Sequence, residues 1–402
     1  NTQHGTPLKL MGSKIAYVGG KRTRAARSWD ILITPNRYST DIFSEAFDIR
    51  GEILEIGYPR NEIFYGEVDR AALRTKLGLP ADKKIAFYAP TYREYLRNYD
   101  YFAFFDGLDG HIPDDWVFIV RFHHLSKKKS QKPLWIFDFS SDHYDVQELC
   151  TVSDVLITDY SSVLFDYLHQ KKLAVHYFID YDLYRNHRGL YFDIAKNPAG
   201  PIIQSPREII PILQNHVRML SDYAPNIEHY YDRFCRLEQH APSAVLVERI
   251  NRHLGTDTGK ALSTTTLLDL LPSRSALRQK LYSSKTNLTH ITYRFFRLVW
   301  YRICSIFPAK DIIFFESHRG LSFSCNPKAI YEALIRNAPP AAKIVWAVSR
   351  PAQKPPLYAE AIVRGSWRYY FYLARAKVWV QNGEFLGNPT PREETLYINT
   401  QH

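Results

Sequence analysis

A chain of 402 residues, 45% hydrophobic and 14% aromatic, exceeds what one compact core organises, so two domains and a connector are expected. The 52 Lys and Arg against 41 Asp and Glu leave a formal charge of +11, which favours anionic partners: phosphorylated substrates, nucleic acid or an acidic membrane face. Cys150, Cys235, Cys304 and Cys325 stand far apart with no Cys/His ligand spacing, which argues against a zinc site or disulfide framework and for a reducing setting, and no apolar run approaches the roughly 20 residues of a spanning helix.

In chain order, "WDILITP" from Trp29 reads as a buried strand, "STDIFSEAF" as a helix opened by Ser39 and Thr40, and "EILEIGYP" as a strand stopped by Gly57 and Pro59. A second series follows in "KKIAFYAPTYR", "DDWVFIVRFHH", "LWIFDF", "DVLITDYSS" and "KLAVHYF". Each is a short run of β-branched and aromatic residues, and the alternation with helical patterns predicts largely parallel sheets. Ligands of such sheets bind beyond the carboxyl ends of the strands. Tyr92-Arg93, Arg121 to His124 and Asp159 to Ser162 are therefore expected to face one crevice. Helical segments near Arg207 to Leu220 and Ser243 to Leu254 finish this part.

From Gly255 the polar "GTDTGKALSTTT" reads as a linker. Leu277 to Phe307 then interleaves basic and aromatic residues, which suits either an anionic membrane surface or a helix docked on the protein's own domain. New strand and helix patterns follow Pro308, in "DIIFFES", "NPKAIYEALIRN", "KIVWAVS" and "TLYINTQH". The chain opens on "NTQHGTPLKL" and closes on "NTQH", so joining tail to head runs on without a break. This predicts a piece cut from tandem copies of one module, holding the back of one copy and the front of the next.

Four stretches carry candidate chemistry. "TQHGTPLK" sets His4 before Gly5, Thr6 and Pro7, with Lys9 a turn later; the imidazole can take a proton, while Thr-Pro is equally a helix-initiating pair. In "DYSSVLFDYL", Ser161 and Ser162 suit either phosphate oxygens or ordinary capping. "VRFHHLSKKK" ends a strand on Arg121, His123 and His124, ahead of Lys127 to Lys129. Its Arg can hold phosphate in a fork and a protonated His can stabilise charge on a bridging oxygen, but no third ligand at a recognisable spacing supports a metal. "YDLYRNHRGLYFD" adds Arg185, His187 and Arg188 beside Gly189. Neither GxGxxG nor GxxxxGK[ST] occurs, so a dinucleotide fingerprint or Walker loop is not supported.

Together, HGTPLK at His4 to Lys9, the Arg-x-His at Arg121 to His123, "SDVLITDYSSVLFDYL" from Ser153 and "DLYRNHRGLYFD" from Asp182 resemble the CDP-glycerol glycerophosphotransferase family of teichoic-acid primases and polymerases. The resemblance implies an α/β, GT-B-like fold: two Rossmann-type parallel-sheet domains facing a cleft, with the acceptor-side domain split between the two ends of the chain. On that basis residues 1–66 are the C-terminal part of the acceptor-side domain, 67–254 the CDP-alditol donor domain, 255–308 the linker with its basic, aromatic helix, and 309–402 the N-terminal part of a second acceptor-side domain. The last piece is expected to supply the missing half by folding back on residues 1–66 or by pairing with another copy.

The same resemblance implies a phosphotransferase that moves glycerol phosphate, or ribitol phosphate, from CDP-glycerol or CDP-ribitol to a polyol-phosphate or lipid-linked acceptor, releasing CMP. His4 resembles the general base and His123 the group assisting at the transferred phosphate. Gly5, Thr6, Arg121, Asp159, Ser161, Ser162 and Arg188 are the implied substrate contacts. No metal, cofactor or nucleic acid is implied. Peripheral placement at the cytoplasmic face of the cell membrane and self-association are further expectations. Two other readings compete: a GT-B glycosyltransferase using a nucleotide sugar, and a non-catalytic basic surface-binding module.

Overall fold

The computed structural model describes residues 5–11, 25–93, 95, 99–122, 133, 135–140, 144–255, 297–336, 341–350 and 356–400. Within these, thirteen strands form two sheets. β1 (Ile31–Thr34) and β2 (Glu52–Glu55) come first. β3 (Lys84–Ala89), β4 (Trp116–Val120), β5 (Ile136–Asp138), β6 (Val155–Thr158), β7 (Leu173–Tyr177) and β8 (Ile202–Ile203) follow. The last five are β9 (Lys310–Glu316), β10 (Lys343–Val348), β11 (Ala359–Val363), β12 (Ala376–Gln381) and β13 (Leu396–Asn399).

The second series makes a six-stranded sheet in the order β5-β4-β3-β6-β7-β8, parallel throughout. Numbered from β3, this is the doubly wound order 3-2-1-4-5-6. Its central strands are buried along their whole length, because helices cover both faces and leave no side to face water.

The other sheet is seven-stranded, β11-β10-β9-β12-β13-β1-β2, and also parallel. It is built from both ends of the chain: β1 pairs with β13, Ile31 opposite Ile398 and Leu32 opposite Asn399. Counted from β9 onward through β13 and then β1 and β2, its order is again 3-2-1-4-5-6, with a seventh strand added. One face packs Ile31, Ile33, Phe315, Trp346 and Ile398, and the other Leu32, Phe43, Phe314 and Trp379.

Several boundaries differ from the sequence expectation for local reasons. The first helix spans Arg37–Ala46 rather than starting at Ser39, because Asn36 is its cap and accepts from the Ser39 amide at 2.9 Å. The expected 207–220 helix is two, Ile209–Gln214 and His216–Asp222. The helix Pro242–Leu254, expected to complete the donor domain, crosses back and buries Leu246, Ile250 and Leu254 beside Ile31, Ile313 and Ile398 of the seven-stranded sheet. Of the basic, aromatic stretch, only 297–307 is among the described residues. There Tyr301 and Cys304 are buried, the Tyr301 hydroxyl donating to the Thr390 carbonyl at 2.7 Å, while Ile303, Ile306 and Phe307 are exposed. This part of the helix therefore docks on its own domain and keeps an apolar outer edge.

Candidate active site

The loop Gly5 to Met11 is fixed from several directions. The Thr6 hydroxyl accepts from the Asn36 amide at 3.2 Å, and the same Asn36 nitrogen donates to the Phe234 carbonyl at 3.0 Å. The Tyr38 hydroxyl donates to the Pro7 carbonyl at 2.8 Å. The Tyr191 amide donates to the Leu8 carbonyl at 2.9 Å and the Leu10 amide to the Gly189 carbonyl at 3.2 Å, with Lys9 bridged antiparallel to Leu190. The GTPLKL and RGLYFD strings, about 180 residues apart, thus pair as two short extended segments.

Gly189 permits this approach. Its φ of +74° lies where side chains are strained, and a Cβ there would sit 2.4 Å from Leu10 Cδ1. Gly189→Ala is expected to cost about 1–3 kcal/mol and to loosen the loop, lowering both the thermal midpoint and the rate of the reaction proposed below. Wild-type values for both would show that the pairing tolerates a side chain.

Facing this loop is the turn after β6. Asp159 is turned inward: its carboxylate accepts from the Thr91 amide at 2.8 Å and the Tyr160 amide at 2.6 Å, and pairs with Arg93 at 2.9 Å. With only 2% of its side chain exposed, Asp159 braces the turn from beneath. Ser161 Oγ accepts from the Val163 amide at 3.4 Å, a long bond. Ser162 holds the cap position of the helix Val163–Leu168 without a side-chain cap bond, so capping does not occupy its hydroxyl. A small crevice lined by Pro7, Leu8, Lys9, Met11, Tyr160 and Ser162 lies between turn and loop.

Arg188 closes the helix Tyr181–Arg188 one residue before Gly189, half-buried like both serines. It acts electrostatically on Tyr184, which stacks on Tyr160 at 4.1 Å and lies under the Lys9 ammonium at 5.7 Å. Gly5, Thr6, Ser162 and Arg188 therefore belong to one neighbourhood. Arg121 stands at the end of β4, separated from β6 by β3, and donates to the Phe139 and Tyr144 carbonyls at 3.3 and 2.8 Å. His4, His123, His124 and Lys127 to Lys129 lie outside the described residues. Among the described residues, no group of three or more His, Cys, Asp or Glu is placed to hold a metal.

Sequence reasoning passed over Arg93 as a site residue. Its guanidinium, 1% exposed, joins Asp159 to Asp180, with Nε 2.7 Å from Asp180 Oδ2. The Tyr95 and Tyr160 hydroxyls also donate to Asp180, at 2.6 and 3.0 Å. Burial alone would raise the Asp180 carboxyl, but Arg93 and the two tyrosines outweigh it and hold it below its ordinary value. Asp180 immediately precedes the helix ending at Arg188, so Arg93 links the DYSS turn to the base of the RG segment. The available signal was an Arg directly after "APTY" at a strand's carboxyl end.

The family described as CDP-glycerol:poly(glycerophosphate) glycerophosphotransferase matches residues 1–252 and 299–402. A teichoic acid poly(glycerol phosphate) polymerase of Bacillus spizizenii is 34% identical over 272 residues, 62% of this chain and 68% of that protein. A teichoic acid glycerol-phosphate transferase of Staphylococcus aureus is 35% identical over 271 residues, 62% of this chain and 70% of that protein. The solved structure of the wall teichoic acid polymerase TagF aligns with a TM-score of 0.53 at 34% identity, covering 62% of this chain and 68% of that one. Against the poly(glycerol phosphate) polymerase of Staphylococcus epidermidis the chain spans only 38% of the relative's length.

Proposed function

Because the chain belongs to the CDP-glycerol:poly(glycerophosphate) glycerophosphotransferase family, we propose that it transfers glycerol phosphate, or the related ribitol phosphate, from a CDP-alditol to a terminal hydroxyl of a teichoic-acid-type polymer or lipid-linked acceptor. The observation that carries this reading is the convergence of three family strings: the GTPLKL loop, paired with RGLYFD, faces the DYSS turn across one crevice.

In this reading the acceptor oxygen attacks the alditol-linked phosphorus, the bond from that phosphorus to the CMP oxygen breaks, and the hydroxyl proton passes to His4. Charge accumulates on departing CMP. Ser161 and Ser162 contact the diphosphate at the turn, Arg188 and Arg121 supply positive charge around it, and His123 stabilises the leaving oxygen. Phosphoryl transfer needs little beyond placement and electrostatics, and Gly5 and Thr6 serve placement by seating the loop against Arg60 and Asn36. Asp159 contributes through the turn it braces.

The proposal extends to a peripheral position on the cytoplasmic face of an anionic membrane. Exposed Ile303, Ile306 and Phe307, beside Arg302, support that contact; no helix among the described residues is long and apolar enough to cross a membrane.

The test is CMP release from CDP-glycerol and from CDP-ribitol with a glycerol-phosphate primer. Release is expected with a CDP-alditol and dependent on primer. No release from either donor, or turnover of a UDP-sugar instead, would overturn the reading in favour of a glycosyltransferase or a binding module.

A further inference from the structure

Where the two sheets meet, the Pro59–Phe64 turn drops a guanidinium into the interior. The Arg60 side chain is 5% exposed and lies over the Tyr58 ring, 4.5 Å from its centroid. Its Nη2 is 3.1 Å from Asp166 Oδ1, and Asn61 Nδ2 donates to the same oxygen at 3.0 Å. Asp166 sits in the helix that begins directly after Ser162. On its other side the guanidinium meets the backbone of Gly5: a Cβ built there would lie 2.5 Å from Nη2. The Arg60 amide donates to Asn326 Oδ1 at 3.1 Å, and Asn326 Nδ2 donates to the Thr400 carbonyl at 2.8 Å. One buried cation thus touches the loop that follows His4 and the helix that follows Ser162, and its own backbone is tied to the 310–400 segment.

A buried ion pair is a weak source of stability, because desolvation offsets most of its attraction; its best use is to fix geometry. Here the geometry joins the two halves of the reaction. We propose that Arg60 and Asp166 are a positioning pair that holds the Gly5 to Leu10 loop, and with it His4, at a set distance from the turn carrying Ser161 and Ser162. The inference rests on the reading of His4 as the base, since only then does that distance separate acceptor hydroxyl from donor phosphorus. Neither residue touches the reacting atoms; both act through the loop and the helix. Gly5 is part of the same device, because a side chain there would displace the guanidinium from beneath the loop.

The test uses the full chain carrying Arg60→Ala, Arg60→Lys or Asp166→Asn, with two readouts. Amide hydrogen exchange at Thr6, Leu8, Lys9 and Leu10 is expected to rise in all three variants, while exchange in β3 and β6 stays at wild-type rates. In steady-state transfer, kcat is expected to fall about ten-fold or more, as misplacement by an ångström allows, with KM for CDP-glycerol changed less than about three-fold; Lys, which keeps the charge but not the planar fork, restores stability without restoring kcat. A drop in thermal midpoint with loop exchange and kcat unchanged would make the pair merely structural and overturn the proposal, as would full rescue of kcat by Lys. Should Arg60→Ala fail to fold, the isosteric Asp166→Asn carries the same comparison. Should the wild-type chain release no CMP, the functional reading fails while loop exchange still decides whether the pair holds the loop.

Discussion

If His4 is the general base proposed here, His4→Ala is expected to lower the rate of glycerol-phosphate transfer by about 10²–10⁴, the span a positioned general base contributes, with CDP-glycerol affinity nearly unchanged. The imidazole belongs to the residue before Gly5 in the sequence, where the described backbone begins. That backbone rests on Arg60 at Gly5, on Asn36 at Thr6 and on the RGLYFD segment at Leu8 and Leu10. Alanine removes a proton acceptor without disturbing those anchors, which is why binding should survive and chemistry should not. A base that must be unprotonated to act gives kcat/KM an acid limb, and that limb should flatten in the variant. Initial rates against pH for wild type, His4→Ala and His123→Ala check this. Retention of the wild-type rate and limb by His4→Ala would take the base away from this loop and leave the acceptor proton to another group.

The strands were legible because burial on both faces writes itself as continuous apolar runs: "WVFIV" and "VLIT" can hardly be anything else once Pro, Gly and polar residues bound them. Register and partnership were not. That GTPLKL lies against RGLYFD depends on contacts about 180 residues apart, and no local propensity encodes them; the family strings named both segments without saying that they touch. The start of the Arg37–Ala46 helix was missed because two plausible caps, Ser39 and Thr40, follow a better one, Asn36, whose side-chain Oδ1 accepts from both the amide and the hydroxyl of Ser39.

Asp159 is expected at the substrate because the resemblance includes the DYSS string and a strand's carboxyl end is where such sheets bind ligands. Whether such a group faces the crevice or the loop beneath it depends on a cation elsewhere in the chain, here Arg93. Arg60 was hidden for a related reason: "GYPRNE" reads as the end of a strand, and only the assembled sheets bring Asp166 and Gly5 to either side of it.

Arg93→Met is expected to destabilise the six-stranded domain by about 3–5 kcal/mol, the cost of leaving buried carboxylates without their cation. Met matches the length of the Arg stem, so the loss is of charge and hydrogen bonds more than of volume. Both Asp159 and Asp180 are left facing a space once filled by the guanidinium, which otherwise donates to Asp180 at 2.7 and 3.0 Å and to the Thr91 carbonyl at 3.0 Å. For a domain of this size the thermal midpoint falls roughly 10 °C.

The pH dependence has a definite sign. The folded Asp180 carboxyl lies below its ordinary 3.8, so its contribution is complete above that value and disappears as pH falls through the lower folded value. In Arg93→Met burial of Asp180 is no longer outweighed, so its carboxyl takes up a proton at higher pH than in wild type; the gap between the two should be widest near neutrality, narrow as pH falls, and close below the lower folded value of wild type. Denaturant unfolding at a series of pH values measures that gap. A gap that persisted unchanged into strong acid would mean that packing of the arginine stem, rather than its pairing with the two carboxylates, ties the DYSS turn to the helix that ends at Arg188.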